Sequence, residues 1–186
     1  MDASLCNISF KNTVRLVILS SMVLNKAFSG SMMTDNKTQL ESKKIHSRDD
    51  YFVFNEITTR WSDNDAYGHV NNVTYYSYFD TAANCYLIKE GGLDITKSSV
   101  IGYVVSSGCE YQSAIAYPDR IEAGLRVDRL GNSSVQYGVA IFKEGVNTAA
   151  AHGYFVHVFV DRETQKPTAL PEKMRTALQA ILVKSE

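Results

Sequence analysis

Residues 60–80 read RWSDNDAYGHVNNVTYYSYFD, and this stretch decides the predicted fold. Two acids, Asp63 and Asp65, are followed by a glycine, a histidine and two asparagines, and a long aromatic segment begins at once. Turn-forming residues directly before an apolar run indicate a loop that leads into a helix. Either Asn71 or Asn72 is a suitable N-cap for that helix.

The helix predicted after this loop spans residues 72–90, which contain neither glycine nor proline, and it ends before Gly91 and Gly92. A helix that is apolar on almost every side is buried, so we expect the rest of the chain to wrap around it. The apolar residues form two neighbouring stripes, one of Val73, Tyr76, Phe79, Ala83 and Leu87 and the other of Tyr75, Tyr78, Ala82 and Tyr86.

The remainder of the chain reads mainly as β-strands. Runs of β-branched and aromatic residues, several of them alternating with polar residues, indicate one strand before the helix and four after it. The five runs are residues 51–60, 100–115, 120–131, 133–145 and 147–161, and Pro171 opens a short C-terminal helix. This order indicates an α+β fold in which a curved antiparallel sheet, with a free edge and a polar outer face, surrounds one helix.

The composition is that of an ordinary globular domain. The 186 residues carry a formal net charge of -1, which gives no electrostatic reason to expect nucleic acid or an anionic membrane as a partner. The three cysteines are far apart and show no zinc spacing, which favours a reducing compartment, and we expect the cytoplasm. We also expect no metal and no cofactor.

Residues 1–50 differ from the rest and are predicted to be an N-terminal extension to a domain of residues 51–186. The apolar run VRLVILSSMVL lies among basic residues, has the length of a signal-peptide core and is short for a membrane span. A secretory signal and an organelle-targeting segment, both within residues 1–35, are two interpretations. A native start at Met32 or Met33 is the third, and we favour it.

The loop and the helix start together suggest a catalytic site. First-turn amides of a helix lack intrahelical partners and lie at the positive end of its dipole, so they polarise a carbonyl oxygen placed on them. Gly68 allows close approach to the backbone, and Asp65 is close enough in sequence to attack that carbonyl or activate a water molecule. A carboxylate acting on an activated acyl group such as a thioester is the simplest such chemistry, because no serine nucleophile motif is present.

Two other interpretations of the same residues stay open. Asp63, Asp65 and Gly68 are also what an ordinary turn requires, with the carboxylates accepting backbone hydrogen bonds. Asp63, Asp65 and His69 are conceivable metal ligands, but nothing else in the sequence supplies an obvious further carboxylate.

The stretch RWSDNDAYGHVNNVTYYSYFD closely resembles the signature of hotdog-fold acyl-CoA thioesterases of the 4-hydroxybenzoyl-CoA thioesterase type. That signature is a strand, a D-x-D-x-x-G-H-V-N-N string or a relative of it, and an aromatic helix start that ends in an acid. The match continues through the long strands, LGNSS and VDRETQKPTALP, and covers residues 51–178. It implies a hotdog fold, with the long central helix wrapped by the sheet, and hydrolysis of an acyl-CoA to a free carboxylic acid and coenzyme A.

The resemblance also implies roles for individual residues. Asp65 corresponds to the catalytic carboxylate, a nucleophile or general base depending on the member, and Asn72 to the helix-start residue whose amide polarises the thioester carbonyl. We interpret Asp63 and Asp80 as structural. The implied substrate-binding positions are Gly68, His69, Val70, Asn71 and Tyr75.

Sites of that family lie between two subunits, so the resemblance implies acyl-CoA as the substrate and a homodimer or a dimer of dimers, that is, a homotetramer. A non-catalytic hotdog module that binds acyl-CoA or an acyl-carrier protein is the second functional interpretation, and it has no need of Asp65. Basic strand residues are candidates for contact with the CoA phosphates, with an ordinary solvated charge as the alternative for each: Arg120, Arg126, Arg129 and Lys143.

Overall fold

The computed structural model describes residues 45–184. This part of the chain contains five β-strands and two α-helices. In chain order the elements are β1 (Val53–Thr58), α1 (Asn72–Lys89), β2 (Val100–Tyr111), β3 (Arg120–Leu130), β4 (Ser134–Lys143), β5 (Ala151–Asp161) and α2 (Glu172–Ala180). The strands form one sheet in the order β1-β3-β4-β5-β2. The predicted α+β class and element order are confirmed. The apolar run and the alternative start at Met32 or Met33 lie outside the described residues.

The ends of α1 follow from local backbone chemistry. At its start the Asn71 side chain accepts a hydrogen bond from the amide of Val73 at 3.1 Å, so Asn71 rather than Asn72 is the N-cap. At its end Gly92 has a φ of +73°, a conformation that favours glycine and turns the chain away. Neither α1 nor α2 is long and apolar enough to cross a membrane.

One face of α1 packs on the sheet. Its buried side chains are Tyr75, Tyr78, Phe79, Ala82, Ala83, Tyr86 and Leu87. They meet the alternating inward residues of the central strands, which are at most 2% exposed: Ile121, Ala123, Leu125 and Val127 of β3, and Val135, Tyr137, Val139 and Ile141 of β4. Val73 departs from the predicted stripe, because it is 65% exposed on the opposite side of the helix.

The outer face of the sheet is less polar than the sequence predicts. Phe142 of β4 is fully buried there beneath Tyr51, and their rings meet edge to face at 5.6 Å. The Arg48 guanidinium lies 5.0 Å from the centre of the Phe142 ring and forms an ion pair with Glu122 at 2.6 Å. Residues 45–50 are the described part of the predicted extension, and they contact the sheet through Arg48.

Strand β2 lies at an edge of the sheet and hydrogen bonds only to β5 within the described chain. Three consecutive apolar side chains in it, Tyr103, Val104 and Val105, are 46%, 47% and 59% exposed. An edge strand with unpaired backbone groups and exposed apolar side chains is a ready surface for pairing with another strand.

Two polar side chains in the core have no hydrogen-bond partner among the described residues. Tyr137 and His157 are 0% and 3% exposed, and their ring centroids lie 5.1 Å apart. The Tyr137 hydroxyl and both ring nitrogens of His157 are unpaired within residues 45–184. Burial lowers the pKa of His157 below its ordinary value, and the negative charge of Asp80 opposes that effect only in part. His157 is therefore neutral at neutral pH.

The free energy of unfolding should fall as the pH drops below about 6.5, the ordinary pKa of histidine. Below that pH the unfolded chain takes up a proton at residue 157 that the folded chain excludes, whereas above it His157 is neutral in both states. The added slope is at most about 1.4 kcal/mol per pH unit. Urea unfolding at a series of pH values should show that His157→Phe removes this slope.

Tyr137→Phe is the matched control, because it changes the neighbouring buried ring without changing a group that titrates near neutral pH. It should leave the slope unchanged. Equal slopes in the wild type and in His157→Phe would contradict the prediction.

Candidate active site

Asp63 holds together the loop that joins β1 to α1. Its carboxylate is almost fully buried and accepts hydrogen bonds from the Arg60 amide at 2.8 Å and the Arg60 Nε at 3.1 Å. The Tyr78 hydroxyl, which comes from the middle of α1, donates to the same carboxylate at 2.8 Å. The backbone carbonyl of Asp63 accepts from the amide of Asn71 at 2.8 Å. One residue thus connects the end of β1, the start of α1 and the helix body.

Burial alone would raise the pKa of Asp63, but the hydrogen bonds from Tyr78 and Arg60, with the Arg60 charge, bring it below its ordinary value. The carboxylate is therefore ionised, paired and already engaged. This agrees with the interpretation of Asp63 as structural. It also argues against the alternative set of metal ligands, and no group of three His, Cys, Asp or Glu residues within 45–184 is placed to hold a metal ion.

Asp65 heads a tight turn beside this loop. Its amide donates to the carbonyl of His69 at 2.8 Å, and its carbonyl accepts from Gly68, whose φ is +81°. Its carboxylate oxygen Oδ1 accepts from the amides of Tyr67 at 2.8 Å and His69 at 3.4 Å. The other carboxylate oxygen, Oδ2, forms no hydrogen bond within the described residues. Asp65 can therefore form the turn through Oδ1 and still have one oxygen available for catalysis.

The start of α1 offers a backbone donor. The amide of Val73 is taken by the Asn71 side chain and that of Thr74 by the Asn71 carbonyl, whereas the amide of Asn72 donates to no other described residue. Tyr111, at the end of β2, donates from its hydroxyl to the Asn72 carbonyl at 3.3 Å.

The structure separates the predicted substrate-binding residues into two groups. Gly68 and His69 are exposed and Asn71 is half-buried, around Asp65 and the helix start. Val70 and Tyr75 are instead core residues, 5% and 3% exposed. The amide of Val70 donates to the carbonyl of Ile115 at 2.7 Å, and the Tyr75 ring lies 5.0 Å from that of Tyr111. Within one chain Val70 and Tyr75 therefore pack in the core next to the loop and are not available to a substrate.

Two open cavities lie elsewhere on the chain. One, of about 460 Å³, is lined by β1 and β3 residues and by the acids Glu56, Asp119, Glu122 and Glu144. The other, of about 390 Å³, lies on the outer face and includes His46 and His152. Neither is lined by Asp65 or Asn72. Neither of these cavities therefore joins the two predicted catalytic residues.

Two of the basic residues considered for the CoA phosphates are engaged with neighbouring acids. Arg126 pairs with Asp128 at 2.6 Å, and Lys143 pairs with Asp119 at 2.8 Å. Arg120 lies 3.7 Å from Glu144 in an exposed pair. The charges of Arg126 and Lys143 are therefore balanced by close acids, whereas the exposed pair of Arg120 is a weak interaction.

Sequence reasoning missed the two tyrosines that complete this region. The sequence places Tyr78 on an apolar stripe, near the expected path of the acyl chain, and does not reveal that its hydroxyl binds Asp63. Tyr111 was assigned only to a strand. The helical spacing of Tyr75 and Tyr78 shows that they share a face, but the loop residue that this face meets depends on how the chain folds back.

Comparison with known proteins gives one family. The model of the thioesterase-like superfamily matches residues 59–178. The PA5185 protein of Pseudomonas aeruginosa strain PAO1 is 57% identical, with a TM-score of 0.75 over 77% of this chain and 100% of its own. Slr0204 of Synechocystis, a 1,4-dihydroxy-2-naphthoyl-CoA thioesterase, has a TM-score of 0.62 over 68% of this chain and 94% of its own, at 18% identity, and so shares the fold.

A curated relative is the uncharacterized protein YsmA of Bacillus subtilis (strain 168), 27% identical over 85 residues. The match takes in 46% of this chain and spans 57% of the length of that relative.

Removal of the Tyr78 hydroxyl should loosen the loop that carries Asp65. Tyr78→Phe leaves the buried Asp63 carboxylate short of a donor, and a hydrogen bond to a charged group contributes about 1.5–3 kcal/mol. We expect a loss of that size in the free energy of urea unfolding. Tyr76→Phe, a half-buried ring stacked on Phe155 in the same helix, is the matched control and should cost about 0.5 kcal/mol or less. Equal effects of the two substitutions would show that the Asp63 contact does not stabilise the loop.

Proposed function

Because the chain belongs to the thioesterase-like superfamily, we propose that it hydrolyses the thioester of an acyl-CoA to a free carboxylic acid and coenzyme A. The observation that carries the proposal is the arrangement of the loop and the helix start. Asp65, whose carboxylate has an oxygen without a hydrogen bond among the described residues, heads a turn that closes at His69. Asn72, whose backbone amide is unpaired among the described residues, follows three residues later at the start of α1.

Asp65 supplies the attacking group. The hydrogen bonds from Tyr67 and His69 fix Oδ1 and leave Oδ2 to act. In one route Oδ2 attacks the thioester carbonyl and the CoA thiolate leaves, which gives an acyl-enzyme anhydride that water then hydrolyses. In the other route Oδ2 takes a proton from a water molecule that attacks the carbonyl and displaces the CoA thiolate. Both routes end in a carboxylic acid and the CoA thiol, and neither needs a metal ion.

The amide of Asn72 supplies the electrophilic assistance. A thioester carbonyl oxygen placed on it becomes negatively charged on attack, and the positive end of the α1 dipole stabilises that charge. The Asn71 cap matters here because it takes up the neighbouring amide of Val73, whereas the Asn72 amide has no partner among the described residues. One such donor is typically responsible for about 10²- to 10³-fold in rate.

A second copy of the chain supplies one wall of the acyl cavity in this proposal. Antiparallel pairing of two β2 edges would continue the sheet across both subunits and cover Tyr103, Val104 and Val105. It would also place the exposed side of α1, with Val73, against the partner. We therefore propose a homodimer as the smallest active unit, with a dimer of dimers built from it.

Asp65→Asn should lower kcat for CoA release by about 10²- to 10⁴-fold, because the amide neither attacks nor accepts a proton. The assay follows the free CoA thiol over a panel of acyl-CoAs. Asp49→Asn, at an exposed acid of a short 3-10 helix (Arg48–Asp50) before β1, is the matched control and should retain wild-type kcat. A fully active Asp65→Asn would rule out the mechanism.

The same panel separates the enzyme from the non-catalytic module. A wild-type chain that binds acyl-CoA tightly and releases no CoA from any member of the panel would favour the module. Turnover that depends on Asp65 would exclude it.

Val105→Lys tests the subunit arrangement. Lysine at this exposed edge position should block strand pairing through charge repulsion between the two copies, giving a monomer by analytical ultracentrifugation and a loss of CoA release. Val146→Lys, at a similarly exposed valine in the loop after β4, is the control and should remain dimeric and active. A fully active monomer of Val105→Lys would contradict the shared site.

A further inference from the structure

Two aromatic side chains beside the loop that carries Asp65 are open to solvent. Trp61 begins the short 3-10 helix Trp61–Asp63 and is 79% exposed. Tyr117 lies three residues before β3 and is 43% exposed. The centroids of the two rings lie 6.1 Å apart, with 82° between the ring planes. We call this pair of rings, Trp61 and Tyr117, the aromatic corner.

The aromatic corner is attached to the loop that carries Asp65. The amide of Tyr117 donates a hydrogen bond to the side chain of Asn64 at 3.0 Å. Asn64 lies between Asp63 and Asp65 in the chain. The Asp63 carboxylate closes the turn that contains Trp61. The contacts that fix the proposed catalytic carboxylate therefore also fix the positions of the two rings.

The geometry of the aromatic corner suits a flat aromatic ligand. Tryptophan is highly buried on average in folded proteins, so a tryptophan that is 79% exposed beside a second exposed ring is unusual. Two rings at nearly a right angle let a planar ring stack on one of them and present its edge to the other, and both arrangements are favourable. Nucleobases bind to exposed aromatic side chains by such stacking.

We propose that the aromatic corner binds the adenine ring of the coenzyme A moiety, so that the protein recognises the nucleotide end of its substrate. The substrate class is therefore acyl-CoA in preference to an acyl group carried on phosphopantetheine alone. This assignment rests on the proposed thioesterase function, because that function is what brings coenzyme A to the loop.

The cavity beside Tyr117 complements the amino group of adenine. Tyr117 lines the cavity of about 460 Å³ that also contains Glu56 and three other acids. Those three, Asp119, Glu122 and Glu144, are in ion pairs, whereas Glu56 forms none within the described residues. The 6-amino group of adenine is a donor, and a carboxylate accepts from it. The negative charge of Glu56 repels phosphate, so the base faces the cavity and the phosphates face the solvent.

One chain supplies the whole aromatic corner. Trp61 follows β1 and Tyr117 precedes β3, and these strands lie on the side of the sheet opposite β2. The proposed pairing of two β2 edges uses neither residue. Substitutions in the aromatic corner therefore test recognition of the nucleotide without altering the strand that pairs in the proposed dimer.

The first test compares substrates that differ in the nucleotide. Wild type, Trp61→Ala, Tyr117→Ala and the control Phe52→Ala, at a 54% exposed ring before β1, are assayed with one acyl group on CoA, on 3′-dephospho-CoA and on 4′-phosphopantetheine. Stacking of one base is worth about tenfold. Wild type and Phe52→Ala should therefore favour both nucleotide-bearing substrates over the acyl-phosphopantetheine by about tenfold in kcat/KM.

Trp61→Ala and Tyr117→Ala should bring this ratio close to one. General damage to the fold would instead lower the rates with all three substrates and leave the ratio unchanged. A wild-type ratio near one, or a ratio that persists in both variants, overturns the assignment. A preference for CoA that 3′-dephospho-CoA does not share also overturns it, because the phosphate and not the base would then be recognised.

The second test needs no substitution. Trp61 is the single tryptophan of the chain, so the tryptophan fluorescence reports on the aromatic corner alone. Titration of the wild-type chain with CoA or 3′-dephospho-CoA should quench this fluorescence through stacking of the base on the indole ring. Phosphopantetheine should leave it unchanged. The same response to all three ligands, or to none of them, contradicts a stacked adenine.

The two proposals fail separately. If no acyl-CoA is hydrolysed, the thioesterase function fails and the fluorescence titration alone decides the aromatic corner. If hydrolysis proceeds with a ratio near one, the thioesterase function stands and the adenine site does not. Faster hydrolysis of an acyl-carrier protein than of the acyl-CoA, lost in Trp61→Ala, would assign the aromatic corner to a protein partner and overturn the adenine site.

Discussion

The site depends on one buried carboxylate. Asp63 binds Arg60 at the end of β1 and Tyr78 in the middle of α1, and its carbonyl binds the amide of Asn71 at the helix start. The loop therefore has a fixed path between strand and helix, and Asp65, two residues later, has a defined position relative to the free amide of Asn72. A flexible loop would place the same carboxylate at many distances from that amide and lose the benefit of orientation.

Much of this arrangement could be predicted from the sequence, because it depends on local chemistry. Turn-forming residues followed by an uninterrupted aromatic run predicted the start of α1 at residue 72, and glycines predicted its end. Alternation in β3 and β4 predicted which residues face the helix. The family signature then identified Asp65 as the candidate catalyst and Asn72 as the candidate donor.

The contacts between distant segments could not be predicted in that way. The hydrogen bond between Tyr78 and Asp63 joins residues fifteen positions apart and depends on how α1 packs. The apolar pattern of the helix does not show that the Tyr78 hydroxyl has a polar partner. Residues 45–51 bury Phe142 on a face that alternation alone marks as polar. His157 lies on the helix side of β5, where spacing does not reveal that both ring nitrogens are unpaired. In each case the deciding information is a partner far away in the chain.

The most direct measurement of the central claim is a crystal structure of the full chain with a non-hydrolysable amide analogue of an acyl-CoA. The account predicts the analogue's carbonyl oxygen about 3 Å from the Asn72 amide nitrogen and Asp65 Oδ2 within about 3.5 Å of the carbonyl carbon or of a water molecule facing it. A carbonyl bound away from the start of α1, with Asp65 turned from it, would contradict the account.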